Sequence, residues 1–237
     1  MECKDAYSTC RGIMSEYTSQ KKKLLDRLER SGYIGKPSVR AAMEAVPREA
    51  FLPDDQLAYA YDDRPLSIGS GQTISAPHMN AMMCTALDLP AEKPILLLEI
   101  GTGSGYHAVL CAEMLKDNPG SHVYTVERVP ELAEKAKAAI ESIGYGDMIT
   151  VVLSDGTLGL PDYAPYDRIM VTAAAPRIPP LLAKQLKEGG ILLIPVGERG
   201  GYQRLIKAVK EKGHLKESEI SGVAFVPLIG QDGFSSD

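Results

Sequence analysis

The sequence predicts an α/β fold of the doubly wound, Rossmann-like kind, with a central, mostly parallel sheet and helices on both faces. Three observations predict it. From residue 95 onward, short apolar runs alternate with helical patterns, as expected for parallel strands joined by crossover helices. The strongest run, Ile95-Leu96-Leu97-Leu98, passes directly into an acid and a glycine cluster, Glu99-Ile100-Gly101-Thr102-Gly103-Ser104-Gly105. The chain has 237 residues, 44% of them hydrophobic and 24% charged, which suits one large domain, or a core with an appended segment, and excludes a disordered or collagen-like chain.

The elements follow in order. Residues 1–17 are polar and aperiodic and read as a flexible extension. A helix is expected over 19–30, with Leu24, Leu25 and Leu28 on one face and Gly32 as its C-cap. Pro37 opens a second helix that turns Val39, Ala42, Met43 and Val46 inward. Residues 66–79 read as a loop. Ser75 stands in the N-cap position of a helix over 76–87, whose Met79, Met82, Met83 and Leu87 read as core. Strands are expected over 95–100, 121–126, 149–153, 167–171 and 191–196, and helices over 106–115, 130–143 and 180–186. Beyond residue 200 helices give out. Strands over 202–210 and 221–227, with a turn at Gly213-His214, read as antiparallel edge strands. The expected organisation is the extension 1–17, a helical segment 18–92 that carries the 66–79 loop, and a core 93–237, all in one compact domain.

Lys and Arg total 26 against 31 Asp and Glu, a formal charge of -5, so nucleic acid is not the expected partner. No apolar run approaches the ~20 residues of a membrane span, and the N-terminus lacks a basic region followed by an apolar one. Cys3, Cys10, Cys84 and Cys111 form no C-x-x-C pair, so no metal is expected. Cys84 and Cys111 lie among apolar neighbours and read as buried thiols in a reducing, cytoplasmic compartment.

Glycines at a strand end let the backbone pass close to a ligand. Glu127, at the end of the next strand, can accept hydrogen bonds from both ribose hydroxyls of an adenosine, and Asp155-Gly156 ends the third strand. A dinucleotide fingerprint would place glycine at 106, where Tyr106 stands, and a Walker loop would end in Lys-Ser/Thr, where the chain reads Tyr106-His107. An acid before the first glycine with G-x-G-x-G spacing is instead the pattern of S-adenosylmethionine-dependent methyltransferases, and Glu99 can pair with the ammonium of the methionine part. The expected cofactor is therefore S-adenosyl-L-methionine, leaving as S-adenosyl-L-homocysteine. Its expected contacts are Glu99, Gly101, Thr102, Gly103, Ser104, Gly105, Glu127, Arg128, Asp155 and Gly156, with Asp155 near the adenine amino group.

Upstream, Thr73 and Ser75 are alternate residues and share one face if the segment is extended. Gln72-Thr73-Ile74-Ser75-Ala76-Pro77-His78-Met79 closely resembles the signature of the protein-L-isoaspartate O-methyltransferases. Val46-Pro47-Arg48-Glu49-Ala50-Phe51, Tyr166-Asp167-Arg168-Ile169, Ala173-Ala174-Ala175-Pro176, Leu186-Lys187-Glu188-Gly189-Gly190, Ile194-Pro195-Val196-Gly197 and Val226-Pro227-Leu228 extend the match to about residues 20–235. The resemblance implies methyl transfer to the α-carboxylate of L-isoaspartyl residues in damaged proteins. The ester then collapses to a succinimide that reopens partly to normal aspartate. It implies Ser75 as the catalytic residue. Thr73, Ile74 and His78 are expected toward the peptide, with a purely structural role in the first turn of its helix as the other reading of His78, and the enzyme is expected to be a monomer.

The departures are conservative or local. Glu99 and Glu127 stand where the family often has Asp, Asn80 replaces a histidine of some members, and Ile229 replaces a hydroxyl of some relatives. An amino-group methyltransferase acting on bases would carry Asn/Asp-Pro-Pro-Tyr/Phe after the fourth core strand, where this chain reads Thr172-Ala173-Ala174-Ala175-Pro176. A non-catalytic binding module would not need the intact glycine motif together with Ser75.

Overall fold

The computed structural model describes residues 2–90 and 92–235, with side chains from Glu16 onward. Its organising element is β3 (Leu96–Ile100), an apolar strand that is buried on both faces. Alternation along β3 sends Leu97 into one core, shared with the N-terminal helices, and Leu98 and Ile100 into another on the opposite face. Glu99 has the parity of Leu97, so its carboxylate points to the helical side of the sheet. A seven-stranded sheet forms around β3 in the order β5-β4-β3-β6-β7-β8-β9. The further strands are β4 (His122–Glu127), β5 (Ile149–Leu153), β6 (Tyr166–Val171), β7 (Leu186–Gly197), β8 (Gln203–Glu211) and β9 (His214–Val223). β5, β4, β3, β6 and β7 pair in parallel, whereas β8 and β9 add antiparallel ladders at the edge. The chain leaves β3 toward β4 and β5 and then returns to β6 on its other side. The carboxyl ends of β3 and β6 thus flank the switch point where this architecture opens a crevice.

Helices α4 (Tyr106–Leu115), α5 (Pro130–Ser142) and α6 (Pro180–Gln185) connect core strands. α1 (Glu2–Arg30), α2 (Pro37–Ala45) and α3 (Pro77–Leu87) precede the sheet. Leu24, Leu25 and Leu28 of α1 and Val39, Ala42 and Met43 of α2 are all buried, as the periodicity predicts. Arg168 of β6 ties α3 to the sheet, donating to the carbonyls of Leu87 at 2.6 Å and Asp88 at 2.8 Å and so satisfying carbonyls left open at the helix end.

The structure departs from the sequence reading at six places, one of them β7, which starts at Leu186 rather than at 191. α1 begins at Glu2 rather than at 19, the side chains before Glu16 lying outside the described residues. The segment 66–79 is not all loop: β1 (Leu66–Gly69) and β2 (Gln72–Ile74) form a hairpin, with Ser70 and Gly71 both at positive φ in its turn. Ser75 does not cap α3; Ala76 holds that position, and the backbone amide of His78 is taken by the Asp63 carboxylate at 2.9 Å. The turn after β8 is centred on Lys212 and Gly213, both at positive φ, rather than on Gly213-His214. The last strand is His214–Val223 rather than 221–227, because an exposed edge strand carries too little apolar alternation to reveal its bounds.

Candidate active site

The crevice lies at the carboxyl ends of four neighbouring strands. It is lined by Glu99 to Ser104 at the end of β3 and beyond it, Val126 to Val129 at the end of β4 and beyond it, Gly156 after β5, and Thr172 and Ala173 after β6. Gln72 to Ser75 from the hairpin and Val226 to Ile229 from the C-terminal segment cover it. That segment is held by β-type bonds to Ala174, which accepts from the Leu228 amide at 2.7 Å and donates to the Val226 carbonyl at 2.8 Å.

The glycine turn has the shape a ligand cradle needs. Gly101 sits at φ +93, and a Cβ there would collide with the Thr172 hydroxyl, which itself donates to the Gly101 carbonyl at 2.6 Å. Gly105, at φ +88, abuts Ile140 of α5, so its missing side chain serves helix–helix contact.

Glu127 secures the turn. Its Oε2 accepts from the Gly103 amide at 2.9 Å, and its Oε1 accepts from the amides of Arg128 at 2.8 Å and Val129 at 2.9 Å. A carboxylate oxygen accepts about two hydrogen bonds, so Oε2 keeps capacity for a ribose hydroxyl. Glu99 is fully buried. Its Oε2 accepts from Thr125 Oγ1 at 2.6 Å, and Thr125 in turn exchanges a hydrogen bond with Thr102 at 2.7 Å. Oε1 of Glu99 has no partner, and burial pushes this carboxyl up to about 7. A buried acceptor without a donor, beside a pocket, suits a bound ammonium group.

Of the residues expected to hold cofactor, Glu99, Gly101, Thr102, Gly103, Ser104, Glu127, Arg128 and Gly156 line the pocket. Gly105 and Asp155 do not line it. The Asp155 carboxylate faces its own loop and the C-terminal segment, accepting from Thr157 N at 2.9 Å, Thr157 Oγ1 at 2.7 Å and Gln231 N at 2.9 Å. Partial burial pushes its carboxyl up, but these donors prevail and hold it below the usual carboxylate value.

A second cleft adjoins the first. It is lined by Pro65, Ala76, His78, Met79, Tyr202 and residues 222–225. Thr73, Ser75, Thr172 and Val226 line both spaces and stand at their junction. The Ser75 carbonyl accepts from Arg48 Nη2 at 2.8 Å, and Arg48 Nη1 donates to Asn80 Oδ1 at 3.3 Å. Arg48 is only 1% exposed and lies 5.2 Å from the centroid of the Tyr106 ring. The sequence reading missed this brace, since positions 48, 75, 80 and 106 share no local pattern. His78 Nδ1 bonds Asp63 Oδ1 at 2.9 Å, and no hydrogen bond joins His78 to Ser75 among the described residues. His78 thus orders the start of α3 while its ring lines the outer cleft.

His107 is a further pocket residue that sequence reasoning missed. With Cys84 of α3 and Cys111 of α4 it forms a buried group whose ligand-type atoms all lie within 4.8 Å of one another. Contact with Cys111, opposed by burial and aided by His107, pulls the Cys84 thiol below its ordinary pKa. The His107-x-x-x-Cys111 spacing, one helical turn, was the available signal.

The comparisons with known proteins decide the family. The family model for protein-L-isoaspartate(D-aspartate) O-methyltransferase matches residues 19–233. The chain belongs to the protein-L-isoaspartate O-methyltransferase family. A relative of that name from Ignicoccus hospitalis is 49% identical over 213 residues, covering 90% of this chain and 99% of its own length. One from Methanothermobacter thermautotrophicus is 50% identical over 216 residues, covering 91% of this chain and 97% of its own. Among solved structures, a protein-L-isoaspartate O-methyltransferase superposes with a TM-score of 0.80 at 29% identity, covering 90% of this chain and 67% of that one. A second, from Plasmodium falciparum and in complex with S-adenosyl-L-homocysteine, gives 0.76 at 29% identity, covering 88% of this chain and 97% of that one. As a protein-L-isoaspartate O-methyltransferase, the chain is an enzyme that uses S-adenosyl-L-methionine.

Proposed function

We propose that this enzyme methylates the α-carboxylate of L-isoaspartyl residues in damaged proteins and peptides, with Ser75 as the residue that orients the acceptor. The observation that carries the reading is the position of Ser75 and Thr73, two neutral hydroxyls at the junction of the pocket at the strand ends and an open cleft.

Bound S-adenosyl-L-methionine supplies a sulfonium methyl that is already electrophilic. The chain's own work is placement. Glu99 takes the ammonium with its unpartnered Oε1, the glycine turn approaches the nucleoside closely, and Glu127 takes a ribose hydroxyl on Oε2. Gly156 and the covering Leu228 and Ile229 exclude water from the adenine end. On the other side, Ser75 donates a hydrogen bond to the acceptor carboxylate and Thr73 assists. An α-carboxyl with an ordinary pKa of about 3.5 is ionised at neutral pH, so no general base is needed. A neutral hydroxyl aims the anion without quenching its nucleophilicity as an arginine would. In-line placement and partial dehydration then supply the acceleration. The Arg48 brace holds the Ser75 backbone from behind. In this reading the enzyme is a cytoplasmic monomer, and the net charge of -5 supports peptide rather than nucleic acid as its substrate. No helix among the described residues is long and apolar enough to cross a membrane.

Labelled methyl transfer to an isoaspartyl peptide beside its aspartyl twin tests the reading. Label on the isoaspartyl peptide alone supports it, and equal label on both, or on neither, overturns it.

A further inference from the structure

We infer that Cys84, His107 and Cys111 form a binding site for a thiophilic d10 cation such as Zn2+, coupled to the cofactor pocket through His107. Two observations carry this independently of each other. The two sulfurs and a ring nitrogen converge from α3 and α4 to within 4.8 Å, and all three residues are buried. Neither ring nitrogen of His107 makes a well-formed hydrogen bond, although both are inaccessible to water, and the polar group beside the ring is the Cys84 thiol. An imidazole so placed forfeits hydrogen bonds that most buried polar groups keep. A metal restores that loss.

The donor set selects the metal class. Two thiolates with one imidazole suit Zn2+ and similar soft or borderline ions, and disfavour Mg2+ or Ca2+, which take oxygen. Tetrahedral zinc with Zn–S near ~2.3 Å requires donor separations of about 3.5–3.8 Å, so contraction of roughly 1 Å from the observed 4.8 Å limit closes the site. The charge balances as well. Each thiol gives up its proton, and two thiolates with a neutral imidazole make a neutral unit with a divalent cation, which a buried position tolerates. Three protein donors leave a fourth position open. His107 and Glu99 line the same pocket, and Glu99 is a charged neighbour of His107, so the ion enters there. Glu99 Oε1, the acceptor assigned to the cofactor ammonium, is unpartnered and is drawn to the metal. Zinc therefore competes with the cofactor. This coupling rests on the pocket assignment above, whereas metal binding does not.

The test uses the full chain with Cys3→Ser and Cys10→Ser, which leaves Cys84 and Cys111 as the only thiols. After treatment with a chelator, Co2+ is titrated as a spectroscopic probe. One equivalent giving a thiolate charge-transfer band and tetrahedral visible bands, displaced by one equivalent of Zn2+, supports the site. No thiolate band at stoichiometric cobalt overturns it, as does a band of full intensity after a further Cys84→Ser substitution. Calorimetry then reads the coupling. Saturating Zn2+ is expected to weaken S-adenosyl-L-homocysteine binding at least tenfold, and unchanged affinity in the metal-loaded protein overturns the coupling while leaving the metal site standing.

Discussion

The Glu127 carboxylate accepts a hydrogen bond from the Gly103 amide at 2.9 Å, joining the end of β4 to the middle of the glycine turn after β3. One side chain therefore shapes the turn and, on the same Oε2, stands ready for the ribose. Its other oxygen gathers the amides of Arg128 and Val129, so the acid is oriented before any ligand arrives.

Glu127→Ala removes both functions. Charge-assisted hydrogen bonds contribute about 1.5–3 kcal/mol each, so S-adenosyl-L-homocysteine should bind about 100-fold more weakly by calorimetry. Affinity within threefold of the parent would contradict the assignment.

Ser75→Ala should lower kcat about 10- to 100-fold, the loss of one hydrogen bond to a charged acceptor. Cofactor affinity should stay within a few-fold, because the hydroxyl is assigned to the acceptor. Ser75→Thr, which keeps a hydroxyl, should recover part of the rate in the same initial-rate assay.

Glu99 gives a pH dependence of definite sign. Burial raises its pKa from 4.5 to about 7, so the folded cofactor-free protein binds this proton more tightly than the unfolded chain does. Free-protein stability from this group is therefore greatest below pH 4.5 and is lost as pH rises through about 7, by roughly 3 kcal/mol. Cofactor affinity runs the opposite way, since the ammonium needs the ionised carboxylate, and it should fall up to tenfold per unit below pH 7. Glu99→Gln should raise the melting temperature at neutral pH, weaken cofactor binding and flatten its pH profile. A profile unchanged by the substitution would remove Glu99 from the ammonium site.

Arg48→Met should lower kcat about tenfold with cofactor affinity nearly unchanged, since Arg48 holds the Ser75 carbonyl from outside the pocket lining. Reduced affinity with an intact rate would show that the brace serves the cofactor side instead.

Much of this was legible in the sequence for a physical reason. Buried parallel strands such as β3 write their bounds as apolar runs, and ligand-cradling turns write theirs as glycines at the strand ends. The signal fades where structure does not depend on apolar burial. β9 is a largely exposed edge strand, and its residue pattern does not mark its bounds. The β1–β2 hairpin turns at Ser70-Gly71, where a serine adopts the positive φ usually left to glycine or asparagine, so the turn passed as loop. Contacts between distant residues left no trace. Asp63 takes over the start of α3 from Ser75, and this frees the Ser75 hydroxyl from the capping task its position suggested. Cys84 reaches His107 and Cys111 only because α3 packs against α4.

The most direct measurement is a crystal structure with S-adenosyl-L-homocysteine and an isoaspartyl peptide bound together. The account predicts adenosine along the glycine turn with its ribose on Glu127, and the isoaspartyl α-carboxylate within hydrogen-bond distance of Ser75 Oγ, facing the homocysteine sulfur. A peptide whose carboxylate lies away from Ser75, or a nucleoside bound elsewhere than Gly101–Gly105, would contradict it.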